Sequence, residues 1–306
     1  IFEQLYSEAG YVYVVRMIVY EIMTNELIFP GYNQYQLLVA LKNDVRPKFK
    51  YPIPYCYKKL IKKCWKSYLY KRPSFSEIIN LLEKDPSFIT QNVNKEDFLD
   101  YVSLIKESQN NKSSICTQKN ENQQNDSSTT KFKKISLNKI QDIQKEKDEN
   151  FLDLTKYERK SVINKSDMFK IYKIKEIETD DNFCAQISMI QSGLLSNDIK
   201  NDLINEIKVL FQMNHPSLLK FIGFSPTDFK NKPKPVVVTE PFSNGTLDEI
   251  LEIERNGTEI LGWNDTKKLI NIYGIASGIS HLHSYNVVHR CLNPKNVFLD
   301  DLLLPK

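Results

Sequence analysis

Between Ser108 and Thr130 the sequence changes character abruptly: Asn, Gln, Ser, Thr and Lys dominate, and Ile115 and Cys116 are its only sizeable apolar residues. Such a stretch buries too little surface to offset the entropy of ordering it. A disordered polar linker is therefore expected over residues 107–150. It divides the 306 residues into two structured parts, 1–106 and 151–306, each of which must find a core or share one.

The first part reads as a run of helices. Val12, Val15, Ile18, Val19 and Ile22 recur at helical spacing. Further helices are expected over 33–42, 55–67, 74–83 and 94–107, punctuated by Pro47, Pro52, Pro54 and Pro73. In the segment that starts at Tyr55, Leu60, Ile61, Cys64 and Trp65 form an apolar stripe, which leaves Lys58, Lys59, Lys62 and Lys63 on a solvated face. The second part opens with strands over 157–163, 169–177 and 182–189, followed by an amphipathic helix over 197–213 and a short strand over 236–239. Helices follow over 247–255 and 264–283, the latter capped by Asn264, then short apolar runs at 297–299 and 302–304. Segregated helices and strands define an α+β class.

The chain is 41% hydrophobic and 26% charged with a net charge of +4, a bias too small to argue for a nucleic-acid or membrane partner. The most apolar stretch, Val12 to Pro30, carries Arg16, Glu21 and Glu26 and reads as a core helix rather than a membrane span. Five cysteines (Cys56, Cys64, Cys116, Cys184 and Cys291) never form a C-x-x-C pair, which argues against a zinc site or disulfide framework and for a cytoplasmic location. Only 9 residues are glycine, about 3% against a usual ~7%, so any glycine-rich phosphate loop would be short of them.

Residues 287–299 read V-V-H-R-C-L-N-P-K-N-V-F-L, which resembles the protein-kinase catalytic loop H-R-D-L-K-P-x-N-[IV]-x-L. The helix ending Gly278-Ile279-Ser280-His281-Leu282-His283 resembles the one that precedes that loop in kinases. Asn205-Glu206-Ile207 with Asn214-His215-Pro216-Ser217-Leu218 resembles helix αC and its following turn, and Val238-Thr239-Glu240-Pro241-Phe242 the last N-lobe strand and hinge. In the first part, residues 7–22 resemble helix αF, while Pro52-Ile53-Pro54, Cys64-Trp65 and Arg72-Pro73-Ser74-Phe75 resemble the region from αH to αI. The match is nearest to the tyrosine-kinase-like group of serine/threonine kinases. The resemblance implies a two-lobed fold with a small β-rich N-lobe and a mostly helical C-lobe. It also implies ATP and Mg²⁺ as cofactors and transfer of the γ-phosphate to protein hydroxyls. The order is permuted: the first part resembles the tail of a kinase domain, and the second its head as far as the residues before D-F-G. A piece of a tandem array, or a circular permutation, is expected. Because the catalytic-loop helix packs on αF in kinases, residues 1–90 are expected to dock beneath 240–306, in cis or between chains.

Set against that pattern, the chemistry is degraded. Asn164 to Tyr172, where the glycine-rich loop aligns, holds no glycine and places Asp167 and Phe169 where phosphates would approach. Gln186 replaces the strand lysine, so Glu206 loses its cationic partner. Cys291 replaces the catalytic aspartate and Asn293 the following lysine, while His289, Arg290 and Asn296 persist, Asn296 as the remaining candidate metal ligand. Tyr11 and Arg16 stand where αF carries aspartate and glycine. A candidate adenine pocket would be lined by Ile171, Cys184, Thr239, Glu240, Phe242 and Phe298. Loss of a general base alone removes ~10²–10⁴ in rate. These substitutions lead to the expectation of a pseudokinase that acts as a protein-binding scaffold for an active kinase or a second copy, with neither nucleic acid nor membrane as partner. The alternative is an active ATP-dependent serine/threonine kinase.

Overall fold

The structure, a computed structural model, describes residues 8–32, 35–36, 39–40, 43, 45–116, 151–165, 169–189, 211, 213–289 and 291–306. The chain divides into two compact units, one formed by residues 1–106, 215–218 and 242–306, the other by 107–214 and 219–241.

In the helical unit, α1 (Glu8–Thr24) buries Val12, Val15, Ile18, Val19 and Ile22, as their spacing predicts. It ends where Asn25 turns left-handed at φ 54°, returning its N–H to the Glu21 carbonyl at 2.8 Å. Helix α2 (Tyr55–Cys64) buries Cys56, Tyr57, Leu60, Ile61 and Cys64. It stops short of the expected residue 67, because beyond Trp65 the residues Lys66, Ser67 and Tyr68 are exposed and supply no apolar stripe. Helix α3 (Phe75–Lys84) starts at a capping box in which Ser74 Oγ accepts from Glu77 N–H and the Glu77 carboxylate accepts from Ser74 N–H. Helix α4 (Lys95–Cys116) overruns the expected end at 107 and enters the polar stretch. Phe98, Tyr101, Val102 and Ile105 bury its first turns, and once a helix is nucleated each added residue gains a hydrogen bond at little extra entropy. Of the helix expected over 33–42, only residues 35–36 and 39–40 are described, and they are helical. The helix expected over 197–213 lies outside the described residues except for 211 and 213.

Helices α5 (Leu247–Arg255) and α6 (Asp265–Ser284) complete this unit, capped by Thr246 and, as expected, by Asn264, whose Oδ1 accepts from Lys267 N–H at 3.0 Å. Helix α6 is buried around its whole circumference by Leu269, Ile270, Ile272, Tyr273, Ile275, Ala276, Ile279 and Leu282. It packs on α3 and α1, so the docking of residues 1–90 against 240–306 occurs within a single chain. Polar contacts line that seam. Tyr273 Oη donates to Glu83 at 2.6 Å, Lys106 reaches the other Glu83 oxygen at 2.6 Å, and Asn94 N–H donates to Thr266 Oγ1 at 2.8 Å. Phe98 meets Tyr273 edge-on at 5.6 Å, and His283 lies between Tyr11 at 5.1 Å and Phe75 at 5.5 Å. The turn His215–Leu218 belongs here as well: Tyr101 Oη and Ser217 Oγ are 2.8 Å apart, and His215 Nε2 lies 3.0 Å from Ser277 Oγ.

The sheet unit holds five antiparallel strands in the order β1-β2-β3-β5-β4, namely β1 (Tyr157–Lys165), β2 (Phe169–Glu176), β3 (Asn182–Ser188), β4 (Phe221–Ser225) and β5 (Val236–Thr239). Strand β4 was not anticipated. Its five residues include Gly223, whose missing side chain leaves room for Leu152: a Cβ there would stand 2.2 Å from Leu152 Cγ. One face buries Leu154, Tyr157, Tyr172, Ile174, Ala185, Ile187, Val236 and Val238. No described helix is long and apolar enough to cross a membrane.

Gly274, in the middle of α6, tests the seam. A Cβ there would sit 2.5 Å from Tyr101 Oη, 2.6 Å from Pro305 Cγ and 2.9 Å from Ser217 Oγ. Helix propensity alone would reward Gly274→Ala by about 1 kcal/mol, yet the overpacking should reverse the sign to a net loss of about 1–3 kcal/mol, read from urea midpoints. A separate consequence is that residues 151–306 expressed alone, deprived of the partners of α6, should fail to unfold cooperatively. A sharp transition from that fragment would show that the seam is dispensable.

Candidate functional site

The loop after α6 is set by a left-handed residue, Asn286 at φ 57°, and by Val287 N–H returning to the Leu282 carbonyl at 3.0 Å. Beyond it, residues 298–306 fold back as a hairpin in which Phe298 and Lys306 exchange both backbone hydrogen bonds, at 3.2 and 2.8 Å. Residues 244–247 clamp this hairpin: Leu247 N–H donates to the Val297 carbonyl at 2.8 Å and Asn244 Nδ2 to the Asp300 carbonyl at 2.6 Å. Gly245, at φ 71°, supplies the left-handed bend that brings its carbonyl to Leu299 N–H.

Cys291 lies between these anchors with its side chain exposed. Its carbonyl accepts from Asn296 Nδ2 at 2.6 Å and from Asn293 Nδ2 at 3.2 Å, and Asn293 Nδ2 also lies 3.6 Å from the thiol sulfur. Asn293 Oδ1 caps the short turn Pro294–Asn296 by accepting from Lys295 N–H at 2.9 Å. The Asn296 amide is thus engaged within the loop. His289 is partly buried, its Nδ1 has no partner among the described residues, and desolvation lowers its pKa. Arg290 and Glu206 lie outside the described residues.

Divalent cations of the magnesium type require several oxygen ligands. The loop offers one thiol and a single amide oxygen, Asn296 Oδ1, because Asn293 Oδ1 accepts from Lys295 N–H, and the described residues contain no group of three or more His, Cys, Asp and Glu that could hold a metal. By itself this loop supplies one side-chain oxygen of the several that Mg²⁺ requires.

In the sheet unit, Ile171 pairs with Gln186 and Cys184 with Thr239. By strand alternation these four share the face opposite the one that buries Tyr172, Ala185 and Val238. Gln186 is uncharged, so its position supplies no cation to a phosphate, although by the same alternation Lys173, paired with Cys184, lies on this face. Glu240 is tied to the end of β4, its N–H donating to the Lys220 carbonyl at 2.9 Å and its carboxylate accepting from Lys220 N–H at 3.1 Å. Phe242 and Phe298 belong to the helical unit, where their rings stack at 4.1 Å.

Two further substitutions act on the framework. Tyr11 is buried against His283. Arg16 is also buried, its guanidinium 3.4 Å over the Tyr13 ring and 4.7 Å from that of Trp65, and burial lowers its pKa to about 9. Sequence reasoning missed Glu21. It stands where α1 nears α5, and desolvation raises its pKa to about 7 despite the Ile28 N–H and Arg255, with Asp248 adding to the rise. Its only sequence signal is a carboxylate within an apolar helical run.

The sequence profile of the protein tyrosine and serine/threonine kinase family matches residues 1–82 and 163–305. The chain belongs to that family. It is 24% identical over 302 residues to the dual specificity protein kinase pyk3 of Dictyostelium discoideum, covering 95% of this chain and 19% of that protein. It is 28% identical over 147 residues to the serine/threonine-protein kinase polo of Drosophila melanogaster, covering 48% of this chain and 24% of that one. Against the cysteine-rich receptor-like protein kinase 41 of Arabidopsis thaliana it is 27% identical over 128 residues, covering 41% of this chain and 18% of the relative. The chain therefore spans about a fifth of the length of these relatives.

The shifts at Glu21 and the histidines oppose one another in pH. Glu21, raised from 4.5 to about 7, favours the folded state at low pH, and that advantage is lost as pH rises through 7. His283 and His289, both lowered from 6.5 by desolvation, favour the folded state above 6.5 and lose that contribution as pH falls through their folded values. Glu21→Gln should therefore stabilise the protein by about 1–3 kcal/mol at pH 8 and by little near pH 4.5. Denaturant titrations at both pH values check this, and an equal effect at both would refute it.

Proposed function

We propose that this chain is a pseudokinase, a kinase-family body that binds proteins and does not transfer phosphate. The reading is carried by Cys291, an exposed thiol on a loop shaped by the side chains of Asn293 and Asn296, at the position where the kinase pattern has its aspartate base. A neutral thiol is a poor substitute for a fixed carboxylate that must receive a proton and sit beside metal. Gln186 adds to the loss, since no charge on that side chain can hold a phosphate. Residues 1–106, 215–218 and 242–306 then supply a helical lobe, and the strands between 157 and 239 a sheet lobe. Similarity to the Dictyostelium kinase across both halves and the stretch between them supports a tandem origin for the order over a circular permutation.

The name of that relative, a dual specificity kinase, keeps a second reading in view: an active kinase transferring the γ-phosphate of ATP to protein hydroxyls. Two measurements separate them. With radiolabelled Mg·ATP and a generic acceptor protein, the chain should incorporate no phosphate, and Cys291→Asp alone should not restore transfer while Gln186 remains. Millimolar ATP with Mg²⁺ should leave the melting temperature unchanged, whereas a ligand at 100 times its Kd would add ~2.7 kcal/mol and move it by several degrees. Mg-dependent incorporation would establish the active reading.

A further inference from the structure

Charge is distributed unevenly along the helical unit. From Val45 to Ser76 there are 8 lysines and 2 arginines and no acidic residue. The rest of the chain carries the other 32 Lys and Arg against all 38 Asp and Glu. A net charge of +4 for the whole chain therefore conceals a segment of +10 beside a remainder of −6.

That charge faces water. Lys59, Lys62 and Lys63 on α2, with Lys66 just beyond it, are exposed, and at 1.5 Å per residue they form a stripe of about 10 Å. Of the lysines in this segment only Lys50 lies within 4.0 Å of a carboxylate, that of Glu26, among the described residues. The acidic groups facing the stripe are Asp85 and Glu77, each already engaged: Asp85 accepts from Ser87 N–H at 3.0 Å, and Glu77 closes the Ser74 capping box.

Aromatic side chains share the surface. Tyr51, Tyr55, Tyr68 and Tyr70 are 63%, 76%, 61% and 79% exposed. Lys71 lies 4.8 Å over the Tyr68 ring and 5.8 Å from that of Tyr70, and Lys58 lies 5.2 Å over Phe49. Such pairs hold ammonium groups and rings in place before a partner arrives. Tyrosine is the residue type that serves best as an interfacial anchor, apolar in body and polar at its tip.

We infer that the face built from α2 and residues 66–71 is a docking surface for an acidic segment of a partner protein. The chemistry favours this occupant over a nucleic acid. The two residues able to form bidentate forks with phosphates or base edges are already engaged by the chain: Arg46 donates to the Val45 and Trp65 carbonyls at 3.1 and 3.4 Å, and Arg72 Nε donates to the Lys66 carbonyl at 2.8 Å while its guanidinium lies 4.9 Å over the Tyr13 ring. What remains outward is lysine, a point charge suited to carboxylates at varied angles. A membrane is disfavoured because the exposed side chains are tyrosines rather than an apolar wedge. The inference rests on the protein-binding reading and gives it a location.

The test is fluorescence anisotropy of the full chain with a short labelled peptide rich in Asp and Glu and carrying two leucines, at low and physiological salt. Saturable binding should weaken as salt rises. Reversing Lys59, Lys62, Lys63 and Lys66 to Glu should weaken it at least about tenfold, and Tyr55→Ala with Tyr70→Ala should weaken it without changing net charge. Should the reversed protein fail to fold, hydrogen exchange on the unaltered chain decides instead, with peptide-dependent protection expected over residues 55–71. No binding, unaltered affinity after both sets of changes, or protection elsewhere would overturn the inference. So would tighter binding of an oligouridylate or of vesicles containing phosphatidylserine, which would assign the surface to those ligands. None of these outcomes bears on phosphate transfer, which the assay with Mg·ATP tests independently.

Discussion

Helix α6 is buried on every side from Leu269 to Ile279, and the segments that enclose it are far apart in the chain. Residues 75–106 contribute Glu83, Phe98 and Tyr101 to one flank, α1 contributes Tyr11 to another, and Ser217 closes a third through Tyr101 and His215. His215 illustrates how tightly this is specified. Its Nδ1 accepts from Ser217 N–H at 3.0 Å, which leaves the proton on Nε2 to be donated to Ser277 Oγ. A ring so placed must be neutral, and it locks a turn to the helix through one tautomer. The loop that follows α6, its anchoring hairpin and the clamp at 244–247 all take their position from this enclosed helix.

That dependence explains why the loop keeps its shape without a carboxylate at residue 291. The hydrogen bonds that set its curvature use the Cys291 carbonyl, received by the side chains of Asn293 and Asn296, and make no structural demand on the residue-291 side chain. Gln186 is similar, since β3 is held to β2 and β5 by backbone pairing that any residue without a ring constraint can make. Arg16 differs, because a guanidinium taken out of water is costly unless something replaces its hydration. The faces of Tyr13 and Trp65 do so, within a cluster where Arg72 also lies 4.9 Å from the Tyr13 ring.

What was legible in the sequence follows the same division. The apolar stripes of α1 and α2, the Asn264 cap and the strands over 157–188 could be read because periodicity and capping are local. The end of α4 could not, since its polar extension is carried by turns buried upstream. Strand β4 escaped because five residues containing Gly223 give little alternation, and their pairing with β5 is irregular between Phe221 and Gly223. At the candidate site the residue types at 186, 291 and 293 were legible by comparison with the kinase pattern. The engagement of the Asn296 amide, the sheet face shared by Ile171 and Gln186, and the raised pKa of Glu21 were not, because each depends on which side chain a folded backbone brings close.

On the pseudokinase reading, the pattern of retention and loss is what free energy alone would select in a chain relieved of catalysis. A domain is stable by only ~5–15 kcal/mol, and truncating a buried aromatic such as Phe75 or Phe98 removes ~3–5 of that, so the packing residues are held. The polar groups of an active site are placed for chemistry rather than for stability, and replacing them is commonly neutral or favourable to the fold. Glycine usage shows the same sorting within one residue type. It occurs at Gly274, where a Cβ would collide with three residues, and at Gly245, where φ is 71°, yet residues 164–172 contain none, although close approach to phosphate is the one service there that requires it. A nonfunctional chain would eventually lose both kinds of position. On the pseudokinase reading, an enclosed helix beside a concentrated positive face is what a body kept for its surface rather than for its phosphate site would hold.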